Sequence, residues 1–378
     1  MTVRDIPTPA FVVHETALRR NLSLISDVAA RSGADIIMAF KANALWRTFP
    51  VIREYVKGCT ASSLNELRLG REELRAEVHS YCPAYTEETI GEYLDGSTHI
   101  TFNSVSQFRR FGSRALAAGV SPGLRVNPHC SVIDTDIYNP ALPGSRFGVG
   151  PDQLKSGLPD GVEGLHFHAL CESSSYDLER VLQAFEAQFG HLLPSVRWVN
   201  MGGGHLMTRE GYDTGHLINL LRDFRSRYPH LKVILEPGSA FTWRTGELLT
   251  SVVDVVHNDG VSTAIIDASF ACHMPDTLEM PYKPAITESL GSDPVEGKPT
   301  YRLGGNSCLS GDFKGDWSFD TPLTPGTRLT LEDMNHYTTV KTTMFNGISH
   351  PSIWFEHTDG SVEELRRFTY EDYKSRMS

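Results

Sequence analysis

A chain of 378 residues is long for one compact domain, so its length predicts two domains or one large barrel with an appended domain. Its composition, 40% hydrophobic and 21% charged residues, is that of an ordinary globular protein with a substantial core. The formal net charge of −11 argues against nucleic acid or an anionic membrane surface as the main partner, and it is compatible with a cationic substrate.

The N-terminal sequence MTVRDIPTPA lacks the charged head and apolar stretch of a signal peptide. No apolar window approaches the ~20 residues that a membrane helix needs. The six cysteines are scattered without CxxC spacing, which favours free thiols over disulfides or a zinc site. We therefore expect a cytoplasmic protein without a bound metal.

Short apolar runs alternate with segments of helical period from residue 35 to about residue 238. The runs fall at 35–40, 58–63, 78–82, 99–103, 123–127, 164–170, 196–201 and 232–238. Strands that alternate with helical segments form parallel βαβ units, and eight units predict a closed (β/α)8 TIM-like barrel over residues 14–240. An open doubly wound sheet is the alternative, but no Gly-x-Gly-x-x-Gly sequence follows the first strand.

After Gly238 the helical period mostly disappears. Strand-like segments at 247–259, 261–269 and 327–333 are bounded by Asp-Gly, Pro-Gly and Gly-Gly turn signals. This pattern predicts a mostly antiparallel β domain over residues 241–378, completed by the N-terminal segment 1–13.

Catalytic groups of a (β/α)8 barrel lie at the carboxyl ends of its strands. The candidates at these ends are Lys41, His168, Gly202, Gly203, Gly204 and Glu236. Successive glycine N–H groups can hold a phosphate, although a flexible turn is the simpler interpretation of the triple glycine. A half-buried Glu236 needs a cationic partner, for which a protonated pyridine nitrogen is suitable.

His168 can stack its ring on a cofactor ring, but a lone histidine is more often a packed structural residue. His166 points to the same face of the strand and stays an alternative to His168. A lysine amine, a phosphate-binding loop, a carboxylate and a stacking ring are together the groups that a pyridoxal phosphate site requires.

The sequence resembles the fold-type III pyridoxal phosphate decarboxylases, which share the alanine racemase-like barrel, over essentially its whole length. The matching segments include FKANALWRTFPVIREY, TASSLNELRLGREE, GLHFHALCE, NMGGGH, EPG, GGNSCLSGD and MNHYTTVKTTMFNG. The segments SSLNE, PGSRFGV and HMPDTLEMPYKP are similar to those of the carboxynorspermidine (carboxyspermidine) decarboxylase subfamily.

This resemblance implies a role for each matching residue. Lys41 would bind pyridoxal 5'-phosphate covalently, His168 would stack on its ring, and Glu236 would pair with its pyridine nitrogen. Gly202, Gly203 and Gly204 would bind the phosphate, with Tyr337 nearby. Cys308 and Asp312 match a segment that enters the neighbouring subunit's site, which implies a homodimer with shared active sites.

The resemblance also implies decarboxylation of carboxynorspermidine or carboxyspermidine to norspermidine or spermidine in polyamine biosynthesis. Cys308 would be the proton donor after carbon dioxide leaves, although cysteine is also common as a buried apolar residue. Asp276, Glu279 and Asp312 are candidates for binding the cationic tail, with a solvated surface as the alternative for the first two. Arg146 is a candidate for a phosphate or carboxylate.

Three other functions stay open at this point. They are decarboxylation of meso-diaminopimelate or a basic amino acid such as ornithine, cofactor binding without catalysis, and racemisation. The sequence departs from the wider family at Ser239, where an arginine often follows EPG, and its KANALW segment is closer to the racemase pattern.

Overall fold

The computed structural model describes Thr2–Ser378 and divides into two compact units. One unit is Asn21–Phe241. The other joins the chain up to Arg20 with Thr242–Ser378.

Strands and helices within Thr2–Ser378 are numbered in chain order. The strands are β1 Ala10–His14, β2 Asp35–Ile36, β3 Met38–Ala39, β4 Gly58–Ala61, β5 Glu77–Tyr81, β6 His99–Phe102, β7 Ser121–Arg125, β8 Gly164–His166, β9 Trp198–Asn200, β10 Lys232–Leu235, β11 Gly246–Asn258, β12 Val261–Ile266, β13 Thr300–Gly304, β14 Phe313–Ser318, β15 Arg328–Glu332, β16 Ser352–Glu356 and β17 Val362–Arg366. The helices are α1 Glu15–Ser32, α2 Phe49–Ile52, α3 Leu64–Leu69, α4 Glu87–Gly96, α5 Val105–Ala117, α6 Ser175–Phe189, α7 Thr214–Arg227, α8 Ser239–Thr242, α9 Phe270–His273, α10 Asp276–Glu279, α11 Thr338–Lys341 and α12 Tyr370–Met377. A membrane crossing needs a long, uniformly apolar helix, and none of the helices within Thr2–Ser378 meets that requirement.

The first unit contains a parallel barrel. Its strand order is β2-β10-β9-β8-β7-β6-β5-β4-β3, and every neighbouring pair is parallel. β2 and β3 are two halves of the first predicted strand, interrupted at Ile37, so the path begins and ends on the same stretch of chain. Each predicted apolar run overlaps one of these strands, except the first, which contains both β2 and β3. The barrel prediction is confirmed.

Helix α6 illustrates how the sequence forms the outer layer of the barrel. The Ser174 hydroxyl accepts the Asp177 N–H, and the Asp177 carboxylate accepts the Ser174 N–H, which makes a capping box. Leu178, Leu182 and Phe185 then recur at helical spacing and are fully buried. The buried face follows directly from the apolar period of the sequence.

The amino-terminal end of the barrel is filled by the indole of Trp198. A Cβ atom added at Gly164 would lie 2.0 Å from this indole, and one added at Gly123 would lie 2.3 Å from it. The indole N–H donates to the Ser121 hydroxyl at 2.9 Å, so its one polar atom is satisfied. Trp198 therefore blocks the amino-terminal end of the barrel, and the active site is expected at the opposite, carboxyl end.

The second unit is built on a mixed, mostly antiparallel sheet with the order β14-β13-β12-β11-β1-β16-β17, and β15 pairs with β11. The N-terminal strand β1 lies inside this sheet, antiparallel to β11 and parallel to β16. Its core includes Phe11, Leu248, Ile266, Trp317 and Leu331. The predicted mostly antiparallel β fold beside the barrel is confirmed.

Candidate active site

Lys41 follows β3 at the carboxyl end of the barrel. The Ala39 N–H donates to the Pro237 carbonyl at 3.2 Å, which brings the lysine segment beside the residue that follows Glu236. Phe40 and Ala42 on either side are fully buried, whereas the Lys41 side chain remains accessible to solvent. Desolvation by surrounding protein atoms and the nearby Arg125 charge lower the pKa of Lys41, which favours the nucleophilic neutral amine.

The triple glycine after β9 occupies space that no side chain can share. A Cβ atom at Gly203 would lie 2.3 Å from the Glu236 carbonyl oxygen, and one at Gly204 would lie 2.4 Å from the Leu170 carbonyl. Gly202 and Gly204 have φ angles of +71° and +90°, which glycine adopts without strain. The loop therefore packs backbone against backbone, and only backbone groups of these three residues could meet an anion.

His168 is held against this loop. The Gly203 N–H donates to Nδ1 of His168 at 2.9 Å, so the ring proton lies on Nε2. Burial, with the Lys41 and Arg125 charges nearby, holds the pKa of His168 well below its usual range, and the ring is neutral. A half-buried, neutral ring fixed at one nitrogen is suited to stacking on a flat ligand.

Glu236 is buried just beyond the end of β10. Its Oε1 accepts the Asn200 side-chain N–H at 2.7 Å, and the Thr60 hydroxyl is a second donor. Burial raises the pKa of Glu236, while these two donors and the Lys41 charge oppose that rise. A buried carboxylate with polar neighbours is suited to pairing with a protonated ring nitrogen.

Arg125, at the end of β7, is a site residue that the sequence analysis missed. It is buried, and its guanidinium lies 4.8 Å from the Tyr81 ring centre and 4.4 Å from the Phe147 ring centre. It donates to the Tyr81 hydroxyl at 2.6 Å and to the His168 carbonyl at 3.2 Å. Burial lowers its pKa, so the cation is held by two aromatic faces and two neutral oxygens. Its position at a strand end was the signal that could have identified it.

Glu66 is a second missed residue. It lies in the first turn of α3, where the Ser63 hydroxyl accepts its N–H at 3.2 Å and its carboxylate accepts the Ser62 N–H at 2.6 Å. Burial raises the pKa of Glu66, and the charge of Lys41 lowers it. The pattern Ser-x-x-Glu after a strand was available in the sequence as a helix start.

Arg146, in contrast, lies on an exposed loop. Its guanidinium covers the Phe147 ring at 4.2 Å, and its carbonyl accepts the Asn103 side-chain N–H at 2.8 Å. Asn103 also accepts the Tyr81 hydroxyl proton at 2.9 Å, which connects this loop to the surroundings of Arg125. Its predicted role with a phosphate or carboxylate stays a prediction.

Cys308 belongs to the second unit and is exposed on the loop between β13 and β14. Its backbone N–H donates to Oδ1 of Asn346 at 2.9 Å, and Asn346 has a φ of +58°. Asparagine tolerates this left-handed conformation better than most residues. The interpretation of Cys308 as a buried apolar thiol is therefore wrong, and the thiol is accessible.

Asp312 is buried, with 4% of its surface exposed, and its carboxylate accepts hydrogen bonds from within the unit. The donors are the Ser269 hydroxyl at 2.8 Å, the Ala271 N–H at 2.9 Å, and the Ser307 N–H and hydroxyl at 3.1 and 2.6 Å. These donors fix the loop that carries Cys308. Direct substrate binding by Asp312 stays a prediction, and this arrangement disfavours it because a substrate amine would have to displace them.

Asp276 and Glu279 lie on α10. The Tyr282 hydroxyl donates to Oδ2 of Asp276 at 2.6 Å, whereas the buried Oδ1 has no hydrogen-bond partner among Thr2–Ser378. Glu279 forms a salt bridge with Lys341. Asp276 is therefore the better candidate for a cation. Tyr337 is half-buried at a φ of +54°, next to the ring of His336.

Comparison with models of protein families identifies the enzyme family to which the chain belongs. The model described as "Pyridoxal-dependent decarboxylase, C-terminal sheet domain" matches residues 24–335, most of the chain. The chain belongs to the pyridoxal-dependent decarboxylases. It is therefore a carboxy-lyase that uses pyridoxal 5'-phosphate, as the sequence resemblance implies.

Two similar sequences and one similar crystal structure match this chain over nearly its full length. The carboxyaminopropylagmatine decarboxylase of Synechocystis sp. is 45% identical over 99% of this chain and 96% of its own. The carboxynorspermidine/carboxyspermidine decarboxylase of Campylobacter jejuni is 40% identical over the whole of both chains. The crystal structure of carboxynorspermidine decarboxylase from Campylobacter jejuni, complexed with norspermidine, has a TM-score of 0.90 at 39% identity and covers 98% of this chain and 100% of its own.

The residues at the barrel end fit the cofactor of this decarboxylase family. Gly202, Gly203 and Gly204 pack against neighbouring backbone so closely that none can carry a side chain, so this loop has only backbone groups with which to meet a phosphate. Glu236 supplies a buried carboxylate for a ring nitrogen, and Lys41 supplies an amine whose pKa is lowered. When bound, the cofactor supplies an electron-accepting ring that stabilises the electron pair left by departing carbon dioxide.

Proposed function

We propose that this decarboxylase acts on the amino-acid end of a carboxylated polyamine, the class that includes carboxynorspermidine and carboxyspermidine, and releases norspermidine or spermidine. The observation that carries this proposal is the full-length identity of 40% to a carboxynorspermidine/carboxyspermidine decarboxylase. In the reaction the α-carboxylate leaves as carbon dioxide and a proton takes its place on the α-carbon. We also propose that the reaction takes place in the cytoplasm.

A second candidate substrate differs at the far end of the molecule. The relative with 45% identity acts, by its name, on carboxyaminopropylagmatine, whose agmatine portion ends in a guanidinium rather than an ammonium group. Both substrates combine an α-amino acid with a cationic chain. The buried, unpartnered Oδ1 of Asp276 supports a cationic tail of either kind.

The chain's own residues then have distinct roles. Lys41 binds the cofactor, His168 orients its ring, Gly202–Gly204 and Tyr337 bind its phosphate, and Glu236 keeps its ring nitrogen protonated. Cys308 delivers the proton to the α-carbon after carbon dioxide has left. Asp276 and Glu279 attract the cationic tail.

The functional unit is a homodimer in which Cys308 acts in the partner's site. Cys308 lies on an exposed loop beside Leu309, which is 46% exposed, and it is anchored to Asn346, beside Phe345, which is 49% exposed. Large apolar side chains exposed next to an exposed thiol support an interface at this surface.

Subunit mixing tests the shared site directly. Lys41→Ala and Cys308→Ala subunits, each expected to form little of the correct amine, are unfolded, mixed and refolded together, and formation of that amine is measured. Random pairing makes half of the dimers mixed, each with one intact site, so activity returns to about a quarter of the wild-type value. Mixed subunits that stay as inactive as the separate variants would contradict the shared site.

A substrate panel tests the activity itself. The purified holoenzyme is incubated with carboxynorspermidine, carboxyspermidine, carboxyaminopropylagmatine, meso-diaminopimelate and ornithine, and carbon dioxide release is measured. We expect kcat/KM to be at least about 100-fold higher for a carboxylated polyamine than for meso-diaminopimelate, because the distal carboxylate of the latter would meet carboxylates rather than a cation. Preference for meso-diaminopimelate or ornithine would refute the proposal.

A further inference from the structure

His166, at the end of β8, is a buried polar residue to which the proposed function assigns no role. Only 2% of its surface is exposed, and neither ring nitrogen has a hydrogen-bond partner among Thr2–Ser378. An unpaired buried donor of this kind destabilises the folded protein, because it has lost its bonds to water. A partner that engages His166 during function accounts for the presence of an imidazole at this position.

The Oε2 atom of Glu236 lies 3.6 Å from Nε2 of His166. The Tyr81 ring packs against the imidazole edge-on, at 5.3 Å between ring centres and an angle of 75°. The positive charges of Arg125 and Lys41 are near enough to act on the imidazole. Burial and these two charges hold the pKa of His166 well below its usual range, so the ring is neutral and carries one N–H.

Nε2 of His166 and Oε2 of Glu236 are slightly too far apart to form a hydrogen bond. The separation of 3.6 Å is about 0.7 Å longer than the ~2.9 Å of a typical N–H···O hydrogen bond. A small side-chain movement is therefore enough to form the bond. The carboxylate is already held on Oε1 by Asn200. His166 is therefore positioned to complete the set of donors on Glu236.

We propose that His166 is a positioning residue for Glu236, donating its Nε2–H to Oε2 and thereby keeping the proton of the Glu236–cofactor pair on the cofactor's ring nitrogen. Each hydrogen bond to a carboxylate makes it a weaker base, because the charged form is stabilised. A weaker base at Glu236 leaves the ring nitrogen protonated, which is the state in which the ring accepts electrons best. This role of His166 rests on the proposed function, in which Glu236 pairs with the ring nitrogen.

The test uses the holoenzyme with pyridoxal 5'-phosphate labelled with 15N at the ring nitrogen, whose NMR shift reports protonation. His166→Phe keeps the flat ring and removes the donor. His166→Gln places an amide N–H near the Nε2 position, and His166→Asn places one near Nδ1. We expect the cofactor's ring nitrogen to stay protonated in the wild type and in His166→Gln. In His166→Phe and His166→Asn, the protonation constant of the ring nitrogen should fall roughly tenfold.

Two results would overturn the proposal. One is a ring-nitrogen signal in His166→Phe that matches the wild type at every pH. The other is a His166→Gln signal that falls with that of His166→Asn, and this comparison decides the matter even if His166→Phe does not bind the cofactor.

The measurement separates this proposal from the proposed function because it requires no substrate. An incorrect substrate assignment alters the carbon dioxide assay and leaves the 15N signal unchanged. An incorrect role for Glu236 is detected by Glu236→Gln, which would then leave the ring nitrogen of the otherwise intact holoenzyme protonated.

Discussion

The backbone N–H of Gly203 donates a hydrogen bond to Nδ1 of His168 at 2.9 Å. One bond thus joins the proposed phosphate loop to the proposed stacking ring and fixes the ring's neutral tautomer. Because Gly203 also lies against the Glu236 carbonyl, this single position connects three of the proposed cofactor contacts.

Gly203→Ala should weaken cofactor binding by about 5- to 150-fold, because overpacking of this kind typically costs about 1–3 kcal/mol. The new methyl group would lie 2.3 Å from the Glu236 carbonyl oxygen and would force the loop away from His168. Titration of the apoenzyme with pyridoxal 5'-phosphate, followed by visible absorbance, measures the effect. The control is Gly91→Ala, in α4, where nothing lies within 4 Å of the new methyl group. It should leave cofactor affinity unchanged, and equal affinity in both variants would refute the packing argument.

Cys308→Ala should slow release of the correct amine and raise the share of abortive aldehyde product, because protonation at the α-carbon loses its donor. Product analysis by mass spectrometry measures the ratio of amine to aldehyde. Unaltered turnover with an unaltered product ratio would remove Cys308 from the mechanism.

Asn346 should influence the same ratio through the backbone of Cys308. Asn346→Gly tolerates the φ of +58° but removes the acceptor of the Cys308 N–H, so we expect a raised aldehyde share. Asn346→Asp keeps an acceptor at the same place and should behave as the wild type. If the two variants give the same ratio, this hydrogen bond has no part in positioning the thiol.

His99 should make the fold sensitive to acid. It pairs with His79 across β5 and β6, with ring centres 4.0 Å apart. Burial lowers the pKa of His99 from 6.5 to about 4, so below pH 6.5 the unfolded chain binds more protons than the folded one. The free energy of unfolding should therefore fall as the pH decreases from 6.5 towards 4, by roughly 3 kcal/mol for this group.

Urea unfolding of wild type and His99→Phe at several pH values checks this dependence. Phenylalanine keeps a ring in the stack and cannot be protonated, so the variant should lose less stability in acid. A variant whose stability falls with pH as steeply as that of the wild type would exclude His99 as a cause.

His14 should have the opposite dependence. Burial alone would lower its pKa, but the carboxylates of Glu247, at 3.6 Å, and Glu356, at 2.7 Å, outweigh burial and raise it above 6.5. Its contribution is fully present below pH 6.5 and is lost as the pH rises through the raised value. His14→Gln should therefore destabilise the protein more in mildly acidic than in alkaline buffer, and an equal loss in both would refute this assignment.

The sequence predicts the barrel strands because each is a local apolar run, and it places Lys41 and Glu236 because each follows such a run directly. It does not predict what these side chains contact. Two of the four donors on Asp312, the Ser269 hydroxyl and the Ala271 N–H, come from more than forty residues away, so its burial cannot be seen in the segment NSCLSGD. Arg125 was missed for the same reason, since its significance depends on Tyr81 and Phe147, which lie on other parts of the chain.

Covalent attachment of the cofactor to Lys41 is the central claim. The holoenzyme is reduced with borohydride to make the lysine–cofactor link permanent, then digested, and the peptides are analysed by mass spectrometry. We expect the mass of the reduced cofactor on the peptide that contains Lys41, and no visible absorbance band or decarboxylation in Lys41→Ala. A cofactor mass on another barrel lysine, such as Lys57 or Lys232, or an unchanged absorbance band in Lys41→Ala, would contradict the account.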